Sequence, residues 1–192
     1  MRLGGKYLTE IDLHEAGFKQ LGRNVRVHER ASIYGVENVS LGDHARIDDF
    51  SIIIATGEVI IGRHVSIPNF CFVGGKYGVV MEDFVTLAPG VKIFSSSDDY
   101  SGEFLTGPTL PQRFTGGRQG RVTLRRHVIL GAGSVVLPGC TLQQGAAVGA
   151  LSLVTADLES WGVYAGVPVR RLKDRKRELL QQAADVDKLE GR

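Results

Sequence analysis

Aliphatic side chains recur along this chain at a spacing that neither an α-helix nor an ordinary β-strand produces. From Leu21 onwards the steps between them are six, six and eight residues, and after an interruption they become strict sixes. A helix repeats its apolar face every ~3.6 residues and a half-buried strand every two. The pattern therefore indicates short strands separated by corners, with an inward ladder formed by Leu21, Val27, Ile33, Leu41, Ile47, Ile53, Ile61, Ile67, Val73, Met81, Leu87, Ile93, Leu124, Leu130, Val136, Leu142, Val148 and Val154.

A second set, made of residues with small side chains, follows most ladder positions by four residues. Examples are Ala45, Ser51, Cys71, Ser134 and Cys140. Each six-residue unit then points one large and one small side chain inward. Glycine or acidic residues come directly after many ladder positions, which is typical of tight corners. The pattern predicts a triangular prism of stacked coils in which strands pair in parallel. Both cysteines are predicted to be core residues rather than nucleophiles.

Three segments are expected along the chain. Residues 1–20 form an N-terminal cap with a short helix over 9–16, and residues 21–168 form the prism. Residues 169–192 are predicted to form a C-terminal helix, which runs from Val169 to about Lys188. The ladder disappears over 94–121, a loop that is long for a compact domain and therefore suggests function.

Composition narrows the function classes. The 192 residues, 43% of them hydrophobic, suit one domain with a substantial core. The 23 basic and 21 acidic residues give a net charge of +2, so a nucleic-acid or membrane surface is not indicated. No apolar run approaches the ~20 residues of a membrane span, and the first residues do not read as a secretion signal. With no Cys-x-x-Cys pair, a cytoplasmic protein is expected.

Several stretches resemble the hexapeptide-repeat acyltransferases, close to the galactoside, maltose, xenobiotic and lipopolysaccharide-sugar O-acetyltransferases. They are MEDFVTLAPGVKIF at 81–94, LRRHVILGAGSVVLPGCTL at 124–142 and YAGVPVRRLK at 164–173. The resemblance implies an all-β fold, a single left-handed parallel β-helix, that assembles as a homotrimer with active sites between subunits. It also implies transfer of an acyl group from acetyl-CoA to a hydroxyl or amine of a sugar or nucleotide sugar, in surface polysaccharide or lipopolysaccharide biosynthesis.

The resemblance also places the catalytic base. Aligned on APGVKI, the position of the family's histidine holds Asp98. A carboxylate is a weaker base than an imidazole, which leaves three hypotheses. Asp98 is a base activated by its surroundings, or it orients an amine that needs less help, or the activity has been lost. His64, at a corner of the prism, is the second candidate for the base.

Cofactor and acceptor residues follow from the same resemblance. Relatives contact CoA at positions that correspond here to small corner residues, a threonine and two basic side chains, namely Ala132, Ala150, Thr155, Arg170 and Lys173. Small corners admit the amide-bearing arm of CoA, and basic side chains bind its phosphates. The acceptor is expected to contact the long loop through Asp99, Tyr100 and Arg113. For a nucleotide-linked sugar, Arg113 or Arg118 is expected to meet its phosphates.

One alternative comes from His44 and His64, which lie one coil apart and should stack on one edge of the prism. Stacked histidines raise the hypothesis of a zinc lyase similar to the γ-class carbonic anhydrases, and a non-catalytic scaffold on the same prism is the other. Zinc needs about three converging histidines, and the H-x4-H pair of that family does not occur in this sequence. No bound metal is therefore expected.

Overall fold

The computed structural model describes residues 4–192, and most of them form a parallel β-solenoid. Helix α1, Glu10–Glu15, lies before the first turn. The Thr9 hydroxyl accepts from the Asp12 backbone amide, and the Asp12 carboxylate accepts from the Thr9 amide at 2.8 Å. This reciprocal pair satisfies donors that the helix start leaves free. The predicted helix over 9–16 is confirmed.

Each of six complete turns contributes one strand to each of three sheets. Sheet 1 contains β1 (Gln20–Leu21), β4 (Val39–Leu41), β7 (Val59–Ile61), β10 (Val79–Met81), β13 (Val122–Leu124) and β16 (Thr141–Leu142). Sheet 2 contains β2 (Arg26–Val27), β5 (Arg46–Ile47), β8 (Ser66–Ile67), β11 (Thr86–Leu87), β14 (Ile129–Leu130) and β17 (Ala147–Val148). Sheet 3 contains β3 (Ser32–Tyr34), β6 (Ile52–Ile54), β9 (Phe72–Gly74), β12 (Lys92–Phe94), β15 (Val135–Val136) and β18 (Leu153–Val154). Neighbouring turns pair in parallel, as predicted.

The predicted ladder forms the core of the prism. All of its positions are buried except Leu21 and Ile33 of the first turn, which are partly buried and pack against the others. The smaller register is inside as well, because Cys71 and Cys140 are buried free thiols. No single turn could bury its own apolar face, so stacking supplies the burial that stabilises the fold.

The first corner of each turn, which joins a strand of sheet 1 to the next strand of sheet 2, uses left-handed backbone. L-residues adopt this conformation at a cost. Rings on successive turns stack there, with centroids 4.8 Å apart for His44 and His64 and 5.1 Å apart for His64 and Phe84. These contacts offset part of the cost. With φ between 55° and 63°, the non-glycine residues of this corner are Asn24, His44, His64, Phe84, His127 and Trp161.

The C-terminal segment differs from the prediction. Strand β19, Gly162–Gly166, adds to sheet 2 in parallel, and β20, Val169–Asp174, pairs antiparallel with β19. Helix α2 begins only at Leu179 and ends at Leu189, so the predicted helix start at Val169 is wrong. The free edge of β19 offers backbone hydrogen bonds, and these outweigh the helix propensity of the Val-Arg-Arg-Leu-Lys segment.

Helix α2 lies along the first corner of the prism. Its residues Leu179, Ala183 and Val186 border a small apolar cavity that Phe84 and His127 close from the prism side. The helix therefore covers the column of stacked rings. Within residues 4–192, neither helix has the length and apolar character needed to cross a bilayer.

Candidate active site

The long loop, residues 95–121, begins after β12 and ends before β13 at the third corner of the prism. It encloses a cavity of about 860 Å³. Asp98 and Tyr100 line this cavity, and Lys76 and Tyr77 from the preceding corner line it as well. The complete lining comprises Lys76, Tyr77, Phe94, Ser96, Ser97, Asp98, Tyr100, Gly107, Pro108, Leu110, Gln112, Thr115, Gly116, Gln119 and Leu137. The pocket thus combines a carboxylate from the loop with a cation and aromatic rings.

Asp99 does not line the cavity, although the sequence predicted it to contact the acceptor. Its carboxylate accepts from the Ser101 hydroxyl at 2.8 Å and from the backbone amides of Gly102 at 2.8 Å and Phe104 at 3.3 Å. The pKa of the Asp99 carboxyl is lowered, chiefly because the Ser101 hydroxyl donates to it. The local role of Asp99 is to order the loop just after Asp98.

The two other predicted acceptor residues lie in different surroundings. Tyr100 lines the cavity, and 93% of its surface is exposed, so its ring is free to meet a ligand. Arg113 lies in a short 3₁₀ turn, Gln112–Phe114, with its guanidinium 4.7 Å above the centre of the Phe114 ring. Arg113 is outside the cavity lining of this subunit, so the structure brings Asp98 and Tyr100 together but not Arg113.

The predicted CoA residues are distributed over two corners. Ala132 and Ala150 occupy the second corner of the fifth and sixth turns, where the Leu151 amide donates to the Ala132 carbonyl at 2.8 Å. Thr155 follows β18 at the third corner, the corner from which the long loop also departs. Ala132 and Ala150 therefore lie at one end of the strands of sheet 3, and Thr155 lies at the other end.

The two basic residues of the set, Arg170 and Lys173, lie on β20. Arg171 pairs with Tyr164 and Lys173 with Val163, which leaves Leu172 as an extra residue at a β-bulge. Side chains alternate along a strand, and a bulge shifts the alternation by one. Arg170 and Lys173 consequently share one face of β20, as two groups that bind the same phosphates would need to.

His64 lies at the first corner, away from the cavity. Its ring stacks between His44 and Phe84, and its Nε2 atom lies 2.7 Å from Oε1 of Glu190 after helix α2. The Arg63 guanidinium lies beside the same carboxylate, 3.4 Å from Oε2. The structure therefore does not bring His64 and Asp98 into one site within this chain.

The donor atoms of His44, His64 and Glu190 lie within 4.8 Å of one another, so this cluster is a candidate for a metal ion. Its geometry does not fit one. An imidazole binds a metal through the lone pair in its ring plane, at ~2.0–2.1 Å for zinc. The two stacked rings are parallel to within 3°, so their planes do not meet at one ion. The cluster instead fastens the end of the chain to the prism.

Sequence reasoning did not identify Lys76 or Tyr77 as parts of the site. Lys76 and Tyr77 fall in the eight-residue step before Met81, where two extra residues enlarge the third corner. That longer step was the available signal, because an enlarged corner projects side chains beside the loop. Arg118, which the sequence offered beside Arg113 as a partner for the phosphates of a nucleotide-linked sugar, donates to the Thr155 carbonyl at 3.1 Å.

Comparison with known proteins assigns the family. No protein-family model matches the chain. A dTDP-4-amino-4,6-dideoxy-D-glucose acyltransferase from Escherichia coli is 40% identical over 176 residues, which is 91% of this chain and 92% of the relative. The chain belongs to the hexapeptide-repeat acyltransferases, in the family of this enzyme. It is an acyltransferase, as predicted, and the alternative of a lyase or scaffold falls away.

Solved structures of this family superpose on almost the whole chain. AntD, an N-acyltransferase from Bacillus cereus, was solved with dTDP and 3-hydroxybutyryl-CoA and is 36% identical. Its TM-score is 0.94, over 98% of this chain and 100% of that one. A single-residue variant of AntD was solved with dTDP-4-amino-4,6-dideoxyglucose and CoA, with a TM-score of 0.93. A maltose O-acetyltransferase from Clostridium difficile 630, 21% identical with a TM-score of 0.58, shares the fold.

Proposed function

We propose that the protein transfers an acyl group from acyl-CoA, with acetyl-CoA as the simplest donor, to the amine of dTDP-4-amino-4,6-dideoxyglucose or a similar nucleotide-linked amino sugar. The observation that carries this proposal is the 40% identity, over 91% of the chain, to an acyltransferase of that name. The AntD complexes with CoA and the dTDP-sugar support it. The proposal includes a place in surface polysaccharide or lipopolysaccharide biosynthesis.

An amine acceptor accounts for the carboxylate at the position of the family's histidine. A neutral amine is a far better nucleophile than a hydroxyl, so its attack on a thioester does not need a strong base. The nitrogen forms a bond to the acyl carbon, the carbon–sulfur bond breaks, and the amine loses one proton. Asp98, in the cavity wall, is suited to hydrogen-bond the amine and accept that proton, which then passes to the departing thiolate.

Donor and acceptor meet between subunits of a homotrimer in this proposal. Ala132 and Ala150 lie at the second corner and Asp98 at the third, so one prism does not bring them together. The second corner is also apolar on the second and third turns, away from Ala132 and Ala150. Phe50 and Phe70 stack with centroids 5.5 Å apart and remain 47% and 58% exposed. Solvent-exposed rings in such a row suit burial against a second prism.

The remaining site assignments belong to the same proposal. Arg170 and Lys173 bind the phosphates of CoA, Thr155 contacts the cofactor near the third corner, and Tyr100 and Arg113 contact the acceptor. We assign the protein to the cytoplasm, where thiols stay reduced, and its two cysteines are free.

A coupled assay tests the proposal. Purified protein is incubated with acetyl-CoA and dTDP-4-amino-4,6-dideoxyglucose, free thiol is measured, and the product is identified by mass. The same assay with dTDP-glucose, which offers hydroxyls only, is the acceptor control. We expect acylation of the amino sugar alone. Acylation of dTDP-glucose at an equal rate, or of neither sugar, would contradict the proposal.

The role of Asp98 is tested in the same assay. Asp98→Asn keeps the shape of the side chain and removes its ability to accept a proton. We expect kcat to fall by about 10²-fold, within the range of general-base catalysis. Asp185→Asn, an equivalent change on the exposed surface of helix α2, is the matched control and should keep full activity.

A further inference from the structure

The two ends of the long loop pair with each other before the loop opens. The Ser97 amide donates to the Arg118 carbonyl at 2.8 Å, and the Gly120 amide donates to the Ser95 carbonyl at 3.0 Å. Ser96 and Gln119 form the antiparallel bridge between these two bonds. Asp98 is the first residue beyond this paired segment. Its backbone position is therefore set by the returning strand of the loop, residues 117–120.

Gly117 is in direct contact with the backbone of Asp98. Its φ is +130°, which L side chains rarely adopt, and a Cβ there would lie 2.6 Å from the Asp98 carbonyl carbon. It would also overlap the Ser97 carbonyl oxygen. Only glycine lets the returning strand approach this closely. The approach leaves Asp98 little freedom to move independently of that strand.

The returning strand is in turn held against later turns of the prism. The Gly139 amide of the fifth turn donates to the Gly120 carbonyl at 3.1 Å. The Arg118 guanidinium donates through Nη1 to the Thr155 carbonyl of the sixth turn, also at 3.1 Å. One side chain thus joins the loop that carries Asp98 to the corner that carries Thr155.

We infer that Arg118 is a positioning residue, which sets the distance between the Asp98 carboxylate and the thioester of the bound acyl-CoA. The inference rests on the proposed function, in which Asp98 assists the amine and Thr155 contacts the cofactor. Arg118 acts through its neighbours: its carbonyl fixes Ser97, and its guanidinium fixes the same strand to Thr155. A displacement of about 1 Å between reacting groups can cost about 10²-fold in rate, so one such tie is sufficient to govern turnover.

Kinetic constants of Arg118→Ala test this role. We expect kcat for amine acylation to fall by about 10–100-fold, while KM for acyl-CoA and for the nucleotide sugar changes by less than about threefold. Arg118→Lys retains one donor for the Thr155 carbonyl and should recover part of the loss. Arg26→Ala removes an exposed arginine from the first turn and is the matched control. Unchanged kcat, or a rise in the nucleotide-sugar KM of tenfold or more at constant kcat, would overturn the inference; the latter would make Arg118 a diphosphate ligand.

Hydrogen exchange of the unliganded protein gives a readout that does not depend on the acceptor. The Ser97 and Gly120 amides should exchange at least about tenfold faster in Arg118→Ala than in wild type, with no change in Arg26→Ala. Equal exchange in the two variants would show that Arg118 does not hold the loop. Should the wild type fail to acylate the amino sugar, the proposed function is wrong, and the exchange result alone decides whether Arg118 ties the loop to Thr155.

Discussion

Glu190, just beyond helix α2, places its Oε1 atom 2.7 Å from Nε2 of His64 in the third turn of the prism. The two residues are 126 positions apart in the chain, and their contact ties the C-terminus to the middle of the solenoid. Arg63 strengthens the tie, since its guanidinium meets Asp83, Asp187 and Glu190. His64, which the sequence offered as the second candidate for the base, thus lies in the contact that attaches helix α2 to the prism.

This attachment predicts a separation of stability from activity. His64→Ala should leave kcat within about twofold of wild type and lower the melting temperature slightly, because a partly exposed polar contact contributes about 1 kcal/mol or less. Arg63→Ala should cost about 3 kcal/mol, because the side chain is only 10% exposed and three carboxylates lose their counter-charge. Thermal melting at fixed protein concentration, beside the coupled assay, measures both. Loss of turnover in His64→Ala would return that residue to the list of candidate bases.

Asp99 should act through hydrogen bonds rather than charge. Asp99→Asn keeps one oxygen for the Gly102 and Phe104 amides, and its new side-chain amide can donate to the Ser101 hydroxyl oxygen, so we expect kcat to stay within about fivefold. Asp99→Ala removes the acceptor and should lower kcat by about tenfold or more, because the loop next to Asp98 loses its order. Equal losses in the two variants would instead indicate that the acceptor needs the negative charge of Asp99.

The pH dependence of the loop follows from the same bonds. The pKa of the Asp99 carboxyl lies below its ordinary value of 3.8, so the folded loop favours the ionised form. The stability that the ionised Asp99 carboxylate gives to the loop is therefore fully present above pH 3.8, and it is lost as the pH falls through the lowered pKa. Along an acid series, the rate of loop cleavage by pepsin in wild type, divided by the rate in Asp99→Asn, should rise toward the low end. The ratio cancels the pH dependence of pepsin itself, and a constant ratio would contradict the prediction.

The cysteines should be inert in the native protein. Burial raises the pKa of the Cys71 thiol to about 11, and burial raises that of Cys140 as well. At about pH 8 an aromatic disulfide reagent should label neither thiol in the folded protein and both after denaturation. The folded state favours the neutral Cys71 thiol. The free energy of unfolding should therefore fall as the pH rises above 9.0, the ordinary pKa of a cysteine thiol. Rapid labelling of the native protein would contradict the core assignment.

Assembly should depend on the exposed rings of the second corner. Phe70→Glu places a charge in the proposed contact between prisms and should convert the proposed trimer to a 20.8 kDa monomer in light scattering. Turnover should fall with it, because the proposed CoA corner and the loop then belong to separated subunits. Ile11→Glu, on the exposed surface of helix α1, is the control. A wild-type protein that is monomeric at micromolar concentration would refute the trimer.

The periodicity of the sequence predicted the prism because each turn repeats the same physical requirement. Each six-residue unit needs one large inward residue and one small inward residue four positions later, and Leu41 and Ala45 satisfy this condition as well as Leu142 and Ala146 do. The hairpin of β19 and β20 was missed for the opposite reason. It occurs once, and Val169 enters a strand only because β19 presents a free edge beside it.

The site was predictable only as far as a local motif reaches. Asp98 and Tyr100 were predicted because APGVKI fixes where the loop begins, and both line the cavity. Asp99 lies outside the cavity lining, because adjacent loop residues face different surroundings. The bond between Arg118 and Thr155 was not predictable, because it depends on how far the loop folds back. The spacing of residues in the sequence does not determine that distance.

Because Arg118 bonds to Thr155, the geometry of the long loop depends on the number of turns between them. The loop leaves after the fourth turn and is fastened to the sixth, and adjacent strands of a sheet are spaced by ~4.8 Å. Insertion of one further coil between β15 and β18 would keep every strand paired and the core filled. It would nonetheless move Thr155 one strand spacing beyond the reach of Arg118. The number of turns in this prism therefore affects the geometry of the proposed active site as well as the stability of the fold.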